Sequence, residues 1–248
     1  MTPSRQLTPD GTASDLLAIA RPNDPFIRWR VTGDDLVGVE VDGDHVGWLR
    51  VVKETGEAWA TTLGNEPLRV TAILTALSAR MPIEGVTVEE SVYSNLPPAF
   101  MSPEPRHWSL WTLDPAGAAP RSSLAIRLSG DDPRIAPLLN YSDSAHVFPG
   151  DERIVRWCGV VQGSKLLSVG AQVISATGAA HLVSICTHPG FRGLGLAREV
   201  CNSLITEATA DQVPMIFLEM YAGNESGRRL YSALGFSEVG VYRSGRIS

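Results

Sequence analysis

The chain has 248 residues, 44% hydrophobic and 19% charged, a composition of folded proteins rather than disordered or fibrous ones. No apolar run approaches the ~20 residues that span a bilayer, and the opening MTPSRQLTPDGTASD has no hydrophobic segment of the signal-peptide kind, so no membrane partner is expected. Three cysteines (Cys158, Cys186, Cys201) without metal-ligand spacing suit a reduced cytoplasmic protein with no metal and no disulfides, and a net charge of −6 argues against a nucleic-acid partner.

The charge is uneven. Residues 1–120 carry 9 Lys/Arg against 16 Asp/Glu, whereas residues 121–248 carry 12 against 11, which suggests two parts with different surfaces. In chain order, residues 1–12 read as a flexible arm, Asp15–Ala20 as a short apolar stretch and Phe26–Val31 as a strand. A hairpin follows, Leu36–Val41 and His45–Val52 about Asp42-Gly43, because Asp-Gly tolerates the positive φ of a tight turn. Asn65-Glu66-Pro67 opens a helix to about Arg80, with Asn65 as N-cap, and Val86–Tyr93 reads as a strand.

The proline-rich segment Asn95–Arg106 leads into an aromatic strand, His107–Leu113, and DPAGAAP at Asp114–Pro120 marks a boundary. The expected organisation is an N-terminal α/β domain over 13–114, a linker over 115–122 and a second domain over 123–248. In that second part, strands are expected at Ser123–Leu128, Ile154–Val161, Lys165–Ile174, Ala180–Thr187, Pro214–Met220 and Phe236–Tyr242. Helices are expected at Asp131–Leu139, Gly193–Ala208 and Glu225–Leu234. Strands that come to alternate with helices imply a mixed twisted sheet with flanking helices, preceded by the smaller α/β domain.

The chemistry concentrates at CTHPGFRGLGLAREVCNSLI. A strand runs into Arg192-Gly193-Leu194-Gly195-Leu196-Ala197, which opens an amphipathic helix with Leu196, Val200, Cys201, Leu204, Ile205 and Ala208 on one stripe. A helix N-terminus offers unpaired N–H groups and about half a positive charge, and small residues let phosphate oxygens approach it. Arg192 adds a cation, so a pyrophosphate is the expected ligand. The run lacks the Gly-Lys-Ser/Thr of a Walker A loop and the third glycine of a dinucleotide fingerprint.

Arg-x-x-Gly-x-Ala after Thr-His-Pro resembles the coenzyme-A pyrophosphate loop of GNAT acyltransferases. IFLEMYAGNESGRRLYSALGF resembles the next strand and helix of that family, with Asn224, Tyr231 seven residues later and Leu234-Gly235-Phe236. The resemblance is strong over His181–Phe236 and extends weakly back to Ser123. The family's Gln/Arg-x-x-Gly-x-Gly/Ala pattern implies that the amides of Leu194 to Ala197, with Arg192, Gly193, Gly195 and Leu196 in the same loop, hold the pyrophosphate of acetyl-CoA or another short acyl-CoA.

The same resemblance implies that the backbone of Ile185, Cys186 and Thr187 meets the pantetheine arm. It also implies that Asn224 contacts the pantetheine region and that Tyr231 is the general acid for the leaving thiolate. Glu219 resembles the base of ribosomal-protein N-terminal acetyltransferases. The same position also suits a carboxylate paired with an arginine, and a water chain could serve as the base.

His188, adjacent to the loop, could relay a proton, although a loop histidine before Pro189 is more often structural, and no acyl-cysteine role is expected for Cys186 or Cys201. The implied activity is transfer of a small acyl group to a primary amine of a small molecule or peptide, by direct attack in a ternary complex. The competing reading is a non-catalytic acyl-CoA-binding regulatory module; Tyr231 and Glu219 together favour the enzyme. The acidic N-terminal half is expected to shape the acceptor site, and its order of hairpin, helix and strand is reminiscent of a degenerate half of the same fold. Self-association, including a homodimer, is left open. Only 12 residues follow Phe236, fewer than the family's further strand needs, so His107–Leu113 is expected to extend the C-terminal sheet.

Overall fold

Asp24 and Pro25 produce the first departure from the pattern read in the sequence. In the computed structural model, which describes residues 13–31, 36–53, 55–117 and 122–247, Phe26–Val31 is not a strand. Helix α1 (Ala13–Ala20) is followed there by a second helix, α2 (Pro25–Arg30). Asp24 Oδ1 accepts from the Phe26 and Ile27 N–H groups at 2.9 and 3.4 Å, and Pro25 pre-sets the first turn. The cap outweighs the β-favouring side chains. The arm expected over residues 1–12 lies outside the described residues, as do residues 118–121 of the 115–122 segment.

The remaining elements are β1 (Leu36–Asp42), β2 (His45–Val51), β3 (Ala58–Leu63), α3 (Pro67–Arg80), β4 (Gly85–Glu89), α4 (Glu90–Tyr93) and β5 (Arg106–Leu113). They continue as β6 (Ile126–Leu128), α5 (Ile135–Leu139), β7 (Ile154–Gln162), β8 (Lys165–Ile174) and β9 (Ala180–Thr187). The chain ends with α6 (Leu196–Ala210), β10 (Ile216–Tyr221), α7 (Glu225–Ala233) and β11 (Ser237–Arg246). Among the described residues no helix is long and apolar enough to cross a membrane.

Several boundaries move for local reasons. The hairpin closes at the pair Asp42↔His45, so Gly43-Asp44 is its two-residue turn. Glu66, not Asn65, caps α3, without a side-chain hydrogen bond. The strand expected over Val86–Tyr93 gives way to α4 at Glu90, and β3 was not foreseen. Residues 123 and 124 leave the expected strand to meet α6: Ser123 Oγ donates to the Glu199 carbonyl at 2.7 Å, and the Leu124 N–H donates to the Glu199 carboxylate at 2.7 Å.

The chain forms two compact units, Met1–Ser109 with Gly240–Ser248, and Leu110–Val239. The divisions fall inside β5 and β11, away from the 115–122 segment. In the first unit the strands run β1-β2-β3-β4-β11, antiparallel except for the parallel β3–β4 pair. Val70, Ile73, Leu74 and Leu77 of α3 close its core over Leu49, Ala60, Val86 and Val88. Tyr93 pins the proline-rich segment: its hydroxyl donates to the Ser102 carbonyl at 2.9 Å and accepts from the Ser102 N–H at 3.0 Å.

In the second unit the order is β5-β10-β9-β8-β7-β6. Helix α6 lays Val200, Cys201, Leu204, Ile205 and Ala208 on one core, and α5 lays Ile135, Leu138 and Leu139 on another around Trp157 and Val169. Glu207 and Asp211 crowd the negative end of the α6 dipole. The buried Arg156 of β7 offsets them, donating to Glu207 at 2.8 Å and to Asp211.

The chain does continue into a strand after Phe236, the ten-residue β11, contrary to the expected shortage. The placement of β5 holds all the same, with Leu110–Leu113 beside β10 and Trp111 and Leu113 in the core of Tyr231, Leu234 and Phe236. Conversely, Tyr242–Arg246 of β11 pairs with β4 in the first unit. Each unit is therefore completed by a strand from the other half of the sequence. Trp111→Ala empties a large position in the second unit's core. It should cost about 3–5 kcal/mol in urea unfolding. A loss under about 1 kcal/mol would mean that β5 is not integral to that core.

Candidate active site

The site begins where two strands part. β9 and β10 are parallel but share only the pairs Ala180↔Ile216 and His181↔Phe217. Beyond them no register joins Leu182–Thr187 to Leu218–Tyr221, so backbone groups on the facing edges are left for another partner. The bend has a local cause. Val169 pairs with Cys186 and Ala171 with Val183, which leaves Ser184 and Ile185 opposite Gly170 alone. This is a β-bulge, with Ser184 at φ 53° and its Oγ donating to the Val147 carbonyl at 2.7 Å. Nothing in the sequence marked Ser184, because the bulge depends on what lies across the sheet.

Past the bulge, β9 is fastened from the β8 side. Ser168 Oγ donates to the Cys186 carbonyl at 3.1 Å and lies 2.8 Å from Thr187 Oγ1, while the His188 N–H donates to the Leu167 carbonyl at 2.9 Å. The Cys186 side chain points into the core, 3.2 Å from the Leu138 carbonyl. Of Ile185, Cys186 and Thr187, Ile185 and Thr187 are part-exposed and Cys186 is buried.

The glycine loop then sets up α6. Gly193 and Gly195 have φ of 81° and 78°, a left-handed backbone that glycine adopts without strain. A Cβ at either would meet nothing within 4 Å, so the space before the helix is open. Gly195 is the N-cap and provides no side-chain hydrogen bond, so the first-turn donors at Leu196 and Ala197 are not capped from within the chain by it. Arg192 places its guanidinium on two carbonyls, Thr187 and Tyr141, both at 3.2 Å, which holds the cation beside the loop. His188 turns the chain toward the loop: Nδ1 accepts from the Gly190 N–H at 3.2 Å, and the ring meets Tyr141 edge-on at 4.9 Å.

Across the opening, β10 carries Glu219, part-buried, and leads to Asn224. Asn224 caps α7, its Oδ1 accepting from the Gly227 N–H at 2.9 Å and from the Ser226 hydroxyl at 3.0 Å. That oxygen is committed to the helix. Tyr231, two turns along, packs in the same core as Cys201 of α6 and meets the Phe236 ring edge-on at 5.8 Å. Burial pushes its phenol well above the ordinary range and the neighbouring Cys201 thiol pushes it further, so it stays protonated. In parallel α/β sheets ligands sit outside the carboxyl ends of the strands. Ile185–Thr187, the Arg192–Ala197 loop, Glu219 and Asn224 all lie along that edge of β9 and β10.

The open glycine cradle, the uncapped helix N-terminus and the parted strands suit an extended ligand with a phosphate end, which acyl-CoA is. The model for the acetyltransferase (GNAT) family matches residues 107–236. The chain belongs to the GNAT acetyltransferase family, whose members move an acyl group from acyl-CoA.

Solved structures agree on the fold over almost the whole chain. A GCN5-related N-acetyltransferase from Sphaerobacter thermophilus is 12% identical with a TM-score of 0.58, covering 99% of this chain and 95% of its own. One from Kribbella flavida is 15% identical with a TM-score of 0.53, covering 96% of both. A GNAT acetyltransferase from Colwellia psychrerythraea is 12% identical with a TM-score of 0.53, covering 99% of this chain and all of its own. No curated protein matches the chain.

The cysteines stand apart from this chemistry. Burial raises the thiols of Cys158 and Cys186, and that of Cys201 to about 12. At pH 8 the native protein should react with a disulfide reagent only as fast as it unfolds. A thiol titrating within seconds would contradict that burial.

Proposed function

We propose that the protein is an N-acyltransferase that moves an acetyl or other small acyl group from acyl-CoA to a primary amine of a small molecule or peptide. The observation that carries this reading is the parting of β9 and β10 onto the open Gly193/Gly195 cradle at the start of α6. The amides of Leu194 to Ala197 would hold the pyrophosphate, and the edges of Ile185–Thr187 the pantetheine arm. When bound, acyl-CoA supplies a thioester carbonyl as the electrophile.

The chain's own residues would move the protons. Glu219, part-buried on β10 with apolar neighbours Leu218 and Met220, accepts a proton from the incoming ammonium, directly or through water, and frees the nitrogen lone pair. Tyr231 donates a hydrogen bond to the departing sulfur. Because its buried phenol is a weak acid, it contributes first as a fixed donor where negative charge grows. Holding both reactants on one sheet edge supplies the orientation that a bimolecular reaction lacks.

The test is CoA release from acetyl-CoA across small amines and peptide N-termini. Release with one acceptor class is expected, and Tyr231→Phe should lower kcat by about 10²-fold or more while leaving the acetyl-CoA KM nearly unchanged. Release that is indifferent to Tyr231→Phe would remove the phenol from the mechanism. Binding of acetyl-CoA without release to any acceptor would favour the non-catalytic module.

A further inference from the structure

The first unit repeats the construction of the second. β3 leads into α3 and then into β4, parallel and adjacent to β3, just as β9 leads into α6 and then into β10. β3 and β4 share the pairs Trp59↔Gly85, Ala60↔Val86 and Thr61↔Thr87 and then lose register, although β3 runs on to Leu63 and β4 to Glu89. A second cleft of the same kind is expected there, at the start of a 14-residue helix.

That position is filled. Glu89 reaches across the gap, and its Oε1 accepts from the Gly64 N–H at 3.2 Å. His45, buried at the start of β2, accepts from the Glu66 N–H through Nε2 at 3.2 Å, while its Nδ1 faces the Asp44 carboxylate at 2.8 Å. The imidazole lies so close that a Cβ on Gly64 would stand 2.3 Å from its Cδ2. Arg21 closes the outer side, 3.8 Å from Glu89 and 2.8 Å from Asp24. The start of α3 is also the wrong chemistry for phosphate: Glu66 is its N-cap, and Pro67 has no N–H to give. Burial raises the Glu89 carboxyl above its ordinary value despite Arg21 and the Gly64 N–H.

We propose that the N-terminal unit is a second copy of the acyl-CoA cleft, plugged by its own Glu89 and His45, so that each chain binds one acyl-CoA, at the Gly193–Ala197 loop. The plug uses the chemistry of the ligand it replaces: an internal carboxylate takes the backbone donor before a helix that an external phosphate would take. The single-site part rests on the proposed function; the plug itself rests on the Glu89 and His45 contacts.

The experiment has two arms on the full chain. Calorimetric titration with acetyl-CoA is expected to give one site per chain, lost entirely in Gly195→Asp. Amide exchange by NMR, without ligand, is expected to show Gly64 and Glu66 protected and Leu194 to Ala197 fast. Glu89→Ala should release Gly64 selectively by at least about tenfold. Glu89→Gln keeps an acceptor oxygen and should restore the protection, which separates the plug from general destabilisation. Two sites per chain, a site that survives Gly195→Asp, or Gly64 exchange unaffected by Glu89→Ala would overturn the proposal. If acetyl-CoA does not bind at all, the proposed function fails, and the exchange arm alone decides whether the plug exists.

Discussion

Everything at the candidate site depends on a backbone constraint. Buried or half-buried peptide groups must find hydrogen-bond partners, and a parallel strand pair normally supplies them along its full length. β9 and β10 do so for two pairs only. The Ser184 bulge turns β9 away, Ser168 and Leu167 hold its far side to β8, and the facing edges of β9 and β10 share no register beyond those two pairs. The N-terminus of α6 stands at the end of that opening, with its dipole favouring negative charge. The cleft therefore follows from one divergence, and α6 and α7 pack on the same core beside it.

The two units use this constraint differently. In the second, small residues keep the opening free. In the first, Glu89 and His45 satisfy the corresponding donors from within. The strands that complete the sheets are exchanged, β5 going to the second unit and β11 to the first. A cut at 115–122 would separate Trp111 and Leu113 from the core that contains Tyr231. The family match beginning at residue 107 includes that strand.

What was legible in the sequence is what is local. Gly193 and Gly195 announce a left-handed turn because few other residues accept it, and the apolar stripe of α6 reports its buried face. The helix expected from Glu225 begins there, and Asn224 caps it, a role that the reading of the sequence did not assign. What was not legible is of two kinds. At Phe26–Val31 the side chains favour a strand, but one Asp-Pro cap decides for helix. Elsewhere the decisive partner is far away in sequence: Gly170 opposite the bulge, and the Tyr141 carbonyl that takes Arg192. No pattern within a window around Ser184 or Arg192 contains that information. The position of β5 beside β10 was expected on a wrong premise, a shortage of residues after Phe236, where the chain in fact forms the full strand β11.

The central claim is that the parted strands and the α6 N-terminus together form the acyl-CoA site. The most direct measurement is a crystal structure with CoA bound. The account predicts pyrophosphate oxygens on the amides of Leu194 to Ala197 and the pantetheine arm between Ile185–Thr187 and the β10 edge. A CoA molecule seated away from α6, with Gly193 and Gly195 free of phosphate, would contradict it.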